Sequence, residues 1–86
     1  MESRTNIKLT DYYATSDLSL AAAIALFFPL EAVDRINPSK SQFLFKRNEH
    51  LDQLIENFWR NELTVEPQAY FNQIKAIKSR LYTEKY

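Results

Sequence analysis

The chain contains no cysteine and no glycine, and it has one histidine among its 86 residues. Without cysteine it has neither disulfides nor thiolate-bound metals, so its stability must come from an apolar core. Without glycine it has no phosphate-cradling loop of the usual kind, which argues against nucleotide-dependent chemistry. His50 alone specifies neither a metal site nor a catalytic relay, and we interpret it as a residue on a helix surface. We therefore expect no enzymatic activity and no cofactor.

Long hydrophobic runs are also missing. The most apolar stretch, residues 18–30, has 13 residues, whereas a membrane span needs roughly 20. A secretory leader is the alternative, but Asp11 and Asp17 occupy the region where a leader carries basic residues. We expect a cytoplasmic protein with no membrane partner.

Charge is balanced overall but unevenly distributed. Eleven basic and 11 acidic residues give a net charge of zero, which limits strong binding to nucleic acid. Residues 49–66 nevertheless hold five acids and one arginine, and residues 75–85 hold four bases and one acid. The alternative to a functional role is that two solvated helix faces attract each other.

The apolar stretch predicts a first helix over Asp17–Phe28. Thr15, Ser16 and Asp17 supply capping oxygens before it, and Pro29 ends it because proline cannot donate to the helix ladder. One predicted face carries the larger apolar side chains, namely Leu20, Ile24, Phe27 and Phe28. A second face is smaller, and consists of Leu18, Ala21, Ala22 and Ala25. Residues 1–14 show no sustained period, and we interpret them as a flexible or loosely docked arm.

The rest of the chain predicts a hairpin and two helices. Residues 30–36 and Gln42–Lys46 form the strands, joined by a turn at Asn37–Lys40. A second helix spans Glu49–Arg60 after the cap Asn48, with its buried stripe at Leu51, Leu54, Ile55 and Phe58. Asn61 takes the left-handed closing position in place of glycine. Glu62–Val65 forms a third strand or crosses over, and a third helix runs from Pro67 to Tyr82 with Tyr70, Ile74, Ile77 and Leu81 on its buried face. Residues 83–86 should fray.

Together these elements predict a small α+β domain over residues 15–82. The order is α-β-β-α-α, with a β-hairpin packed with three helices around the central apolar helix. If the other elements leave the side of Ala22 and Ala25 uncovered, a second copy should cover it, and the protein is then a homodimer.

One surface pattern indicates a nucleic-acid interface. Phe71, Lys75, Lys78 and Tyr82 are spaced four, three and four residues apart, which aligns them on one side of the third helix. Such rings and cations can stack on bases and neutralise phosphates, and Lys40, Lys46 and Arg47 would extend this surface. The alternative is that Phe71 and Tyr82 belong to the outer core, with the lysine stems lying over them.

A second functional hypothesis is a protein-interaction module. Its surface would combine the acidic second helix, Trp59 and the tyrosines Tyr12 and Tyr13. An exposed Trp59 would favour this hypothesis, because tryptophan anchors interfaces.

The order of these signals resembles a family of small uncharacterised domains found in bacteria and their phages. The resemblance covers residues 15–82 and rests on the following segments: Thr15–Leu18 before the alanine-rich helix, Phe43–Phe45, Phe58–Trp59, Val65–Pro67, Tyr70–Phe71 and Ile77–Tyr82. The family has no established activity, so the resemblance carries over no catalytic residue. Its occurrence in phages and compact genomes favours a role in handling nucleic acid or in binding a host protein. The chain departs from the family pattern at Asn61-Glu62 and at Glu66, where the family has Asn-Gly and Asp.

Overall fold

A computed structural model describes residues 11–37 and 40–83. Its elements, in chain order, are β1 (Tyr12–Thr15), α1 (Leu18–Ala25), β2 (Ala32–Asn37), β3 (Lys40–Lys46), α2 (Glu49–Trp59) and α3 (Pro67–Thr83). The α+β class and the α-β-β-α-α order are as predicted, with β1 added in front. Met1–Thr10, the turn residues Pro38 and Ser39, and the tail predicted to fray after Thr83 lie outside the described residues.

The sheet has three antiparallel strands in the order β1-β3-β2. Tyr13 lies opposite Phe45 and Thr15 opposite Phe43 in the register of β1 with β3. These side chains share the inner face, since alternate residues of a strand point to the same side. The third strand is therefore Tyr12–Thr15, although residues 12–14 were predicted to belong to the N-terminal arm and Thr15 to the cap of the first helix. Glu62–Val65 crosses over without pairing. Strand β1 has four residues with two inward positions and is too short for a detectable alternation of apolar and polar residues.

Helix α1 begins as predicted but ends early. Asp17 Oδ1 accepts hydrogen bonds from the Ser19 amide at 2.9 Å and the Leu20 amide at 3.2 Å. The helix stops at Ala25, and the amides of Phe27 and Phe28 both donate to the Ile24 carbonyl at 2.9 Å. Pro29 accounts for this early end, because a proline ring clashes with the carbonyl four residues before it and disfavours helical geometry in the preceding residue.

The core forms around α1, which contacts both other helices and β1. Its buried cluster comprises Leu20, Ala21, Ala22, Ile24, Phe43, Phe45, Leu51, Leu54 and Ile77. Phe27, predicted on the large apolar face, is instead 55% exposed because it follows the end of the helix. Of the two residues named for contact with a second copy, Ala22 is fully buried within one chain and Ala25 is half-buried.

Helix α3 packs against α1 and is held by hydrogen bonds near both of its ends. Near its start the Tyr70 hydroxyl donates to the Ser19 carbonyl at 2.9 Å. Near its end Arg80 donates to the Leu30 carbonyl at 3.2 Å, and Arg35 of β2 donates to the Leu81 carbonyl. Within the described part of the chain, no helix is long and apolar enough to cross a membrane.

Candidate functional site

The predicted stripe on α3 is exposed. Phe71 is 58% exposed and Tyr82 is 64% exposed, so neither ring belongs to the outer core and that alternative is wrong. The Lys75 ammonium lies 4.9 Å from the centre of the Phe71 ring, within cation–π range, and Lys78 is exposed one turn further on. The stripe covers roughly 16 Å of helix between Phe71 and Tyr82.

Of the other predicted basic residues, Lys46 lies apart from this stripe. Lys46 alternates with the buried Phe45 on β3, so it lies on the face of the sheet that points away from the helices. Arg47 Nε is 3.5 Å from Asp52 Oδ1, which partly neutralises it. Lys40 begins β3, roughly 20 Å from Lys46, and its side chain lies outside the described part of the structure. Lys46 therefore lies on a different surface from the stripe on α3.

Trp59 is the last residue of α2, and the turn that follows fixes its position. The Glu62 amide donates to the Asn57 carbonyl at 2.9 Å and the Asn61 amide donates to the Phe58 carbonyl at 3.1 Å, which is the Schellman pattern. Asn61 takes a φ of 62°, which confirms the predicted left-handed position. The Phe58 ring packs against the core and meets the Trp59 ring edge-on, with ring centres 5.0 Å apart. Trp59 is nevertheless 60% exposed.

An open cleft of about 370 Å³ lies beside Trp59, where α2, the crossing segment and the first turn of α3 meet α1. Its lining residues are Ala23, Phe58, Trp59, Asn61, Leu63, Val65 and Tyr70. This volume falls within the range of about 300–1,000 Å³ that is typical of ligand pockets. The cleft was not predicted from the sequence, although Leu63 and Val65 alternate with polar neighbours in the manner of an extended segment with one apolar side.

The predicted tyrosines of the interaction surface lie elsewhere. Tyr13 packs against the core, and burial raises its pKa above the ordinary value while the nearby Arg47 guanidinium partly opposes that rise. Tyr12 lies opposite Lys46 on the outer face of the sheet. Neither tyrosine lines the cleft, so Trp59 is the part of the predicted interaction surface that contributes to it.

The acidic residues and His50 are the side chains of this chain that could bind a metal ion. His50 is exposed in the first turn of α2, where it was predicted. Asp17 serves as a helix cap. Within residues 11–37 and 40–83, no group of three or more histidine, aspartate or glutamate side chains is placed to hold a metal ion.

A family model described as a domain of unknown function, DUF5659, matches residues 10–83, which is most of the chain. The chain belongs to this family. The DUF5659 assignment agrees with the expected resemblance to small uncharacterised domains, and its match includes every element from β1 to α3. No curated protein and no solved structure matches the chain. The function of this DUF5659 domain must therefore be argued from its surfaces.

Proposed function

We propose that this domain is a non-enzymatic interaction module that binds a protein partner through the cleft beside Trp59. The observation that carries the proposal is the 60% exposure of Trp59 at the edge of an apolar cleft. Large apolar rings that stay in water on a small domain are typical of interaction surfaces. The Phe58 edge contact and the Schellman turn hold this ring in place before any partner arrives, which lowers the entropic cost of binding.

The energetic contribution of Trp59 is large enough to anchor an interface. A buried aromatic side chain covers about 150–250 Å², so covering the exposed part of Trp59 contributes roughly 3 kcal/mol before the cost of association. Together with the adjacent cleft, this is the magnitude expected of a binding hot spot. Truncation of a hot-spot residue typically costs about 2 kcal/mol or more of binding free energy.

The test is selection of binding peptides on the wild-type protein from a displayed library of random 12-residue sequences, followed by measurement of their binding to Trp59→Ala. We expect enriched peptides that bind the wild-type protein and change the fluorescence of Trp59, which is the only tryptophan in the chain. Phe71→Ala is the matched control, because Phe71 is about equally exposed but does not line the cleft. The proposal fails if no peptide is enriched or if the enriched peptides bind Trp59→Ala equally well.

We propose nucleic-acid binding as a second candidate function, restricted to the stripe Phe71, Lys75, Lys78 and Tyr82. It is supported by the exposure of this stripe and by the absence of any acidic residue within α3. Neither Lys75 nor Lys78 forms an ion pair with another described residue, so both charges are available to phosphates. Binding would be weak, salt-sensitive and tolerant of sequence.

Labelled single- and double-stranded oligonucleotides at low salt test this candidate. Two lysine contacts predict a slope of roughly −1.4 for log affinity against log salt on a single strand. Lys75→Glu with Lys78→Glu should abolish binding, whereas Lys46→Glu, a charge reversal on the other face of the sheet, should not. Unchanged binding by the double variant would exclude the candidate.

The proposal also includes a biological context. The resemblance is to domains of bacteria and their phages, and the sequence predicts a cytoplasmic protein, so the partner would be a host or phage protein. This part rests on association with the family and not on the geometry of the cleft.

A further inference from the structure

We infer that the occupant of the Trp59 cleft is a positively charged peptide segment that inserts one bulky apolar side chain. This inference rests on the proposed protein-binding function and names the chemistry of the partner. Two independent features of the structure lead to it: the apolar lining of the cleft and the sign of the charges around it.

The lining requires an apolar group. Among the described residues, those that line the cleft are all uncharged, and the polar ones are Asn61 and Tyr70. The Tyr70 hydroxyl already donates its proton to the Ser19 carbonyl. A charged side chain in this cleft would lose hydration without gaining an ionic partner, whereas an aliphatic or aromatic side chain gains contact with rings and methyl groups.

The charges around the cleft are negative. Residues 56–66, which hold most of the lining residues, contain three acids and Arg60 as the one base, and the Arg60 guanidinium is held by Glu56 Oε2 at 2.9 Å. Glu62 lies between the lining residues Asn61 and Leu63, is exposed, and forms no ion pair with another described residue. Its charge is therefore not compensated within the described part of the molecule.

The helix ends near the cleft do not reverse this sign. The carboxyl end of α2 carries a partial negative charge. The amino end of α3 is partly positive, but Glu66 Oε1 accepts a hydrogen bond from the Ala69 amide at 2.7 Å and offsets it. Lys75 is five residues beyond Tyr70, about 140° further round α3, so it faces away from the cleft.

These two features together favour a basic peptide over other occupants. A nucleic acid would meet like charge at Glu62, which weakens association. A small apolar molecule would fill the cleft but would not respond to the charge outside it. In a segment with lysine or arginine next to a leucine-sized or aromatic residue, the apolar side chain matches the lining of the cleft. The basic side chain pairs with the negative charge of Glu62 beside it.

The peptide selection described above also tests this inference, because the composition of the enriched sequences is its readout. We expect an apolar residue flanked by lysine or arginine. Glu62→Lys should weaken a synthetic copy of such a peptide by about twofold to fivefold at low salt, the range for a single exposed charge pair. Glu49→Lys is the matched control, since Glu49 lies roughly 15 Å from Trp59 along α2, beyond a Debye length of about 8 Å.

The possible results distinguish failure of the protein-binding function from failure of the inference about the partner's charge. No peptide that depends on Trp59 means that the protein-binding function itself is wrong. Peptides that depend on Trp59 but are neutral or acidic overturn the charge inference and leave the function standing. Basic peptides that bind Glu62→Lys and the wild-type protein equally also overturn it, because the charge of Glu62 then plays no part.

Discussion

Asp17 is the residue on which the start of the central helix depends. Its Oδ1 accepts hydrogen bonds from the Ser19 hydroxyl at 2.6 Å and from the amides of Ser19 and Leu20. These bonds, with the Ser19 hydroxyl contributing most, hold the pKa of the Asp17 carboxyl below its ordinary value, and burial opposes them in part. The charged form is therefore favoured in the folded state.

Removing this cap should destabilise the fold in a pH-dependent way. Asp17→Ala should lower the free energy of unfolding at pH 7 by about 1 kcal/mol. Asp17→Asn should lower it by less, because asparagine also caps helices. Because folding lowers the pKa of this carboxyl, the carboxylate stabilises the fold at pH values above its unfolded-state pKa, about 3.9. This stabilisation is lost as the pH falls through the lower folded-state pKa. The advantage of the wild type over Asp17→Asn should therefore shrink below about pH 4 in denaturant titrations. Equal stability of Asp17→Ala and wild type at pH 7 would contradict the assignment.

Single residues show both the reach and the limit of prediction from the sequence. Asn61 was predicted in the left-handed region because a chain without glycine has few residues that tolerate it, and its φ of 62° confirms this. The exposure of Trp59 could not be predicted in the same way. Trp59 follows the buried stripe of α2 by one position, so its exposure depends on how closely the crossing segment and α3 approach, which local patterns do not determine.

At the scale of elements, the carboxyl end of α3 depends on a residue of the sheet. Helices leave their last carbonyls without internal partners, and here Arg35 of β2 donates to the Leu81 carbonyl. Arg35 is half-buried, so water replaces this bond poorly. The bond joins elements that are far apart in sequence and completes the docking of α3.

Loss of the Arg35 side chain should loosen the last turn of α3. Hydrogen bonds from charged groups contribute about 1.5–3 kcal/mol, so Arg35→Ala should lower the free energy of unfolding by roughly that amount. Amide hydrogen exchange should rise in residues 78–82 and stay near wild type in α2. Arg47→Ala is the control, because its exposed pair with Asp52 should contribute at most about 1 kcal/mol. Unchanged exchange at the end of α3 in Arg35→Ala would show that this bond does not hold the helix.

The elements differ in how well the sequence predicts them, for physical reasons. Helices α2 and α3 were predicted to within one residue at each end, because each has a cap and an apolar stripe over several turns. Helix α1 was predicted three residues too long at its end, since the apolar run continues through Phe28 after the backbone has left the helix. Strand β1 was missed because its four residues are defined by pairing with β3.

At the scale of the whole molecule, the class and order of elements followed from the periodicity of each segment, but the surfaces did not. The prediction of a nucleic-acid site assumed that its seven residues share one continuous face. The antiparallel sheet puts Lys46 on the side away from the helices, while α3 packs against α1. Which charges become neighbours depends on this packing, so a set of residues chosen by type was divided by the fold.

The enclosure of α1 by one chain leads to a prediction about oligomeric state. Ala22 is fully buried by its own chain, so Ala22→Leu should overpack the core and lower the free energy of unfolding by about 1–3 kcal/mol. A covered face needs no second copy, so the melting temperatures of wild type and variant should be independent of protein concentration. Ala76→Leu is the matched control, since Ala76 is exposed on α3 and the change there should stay within about 0.5 kcal/mol. A wild-type melting temperature that rises with concentration, and loses that dependence in Ala22→Leu, would instead place Ala22 in a dimer interface.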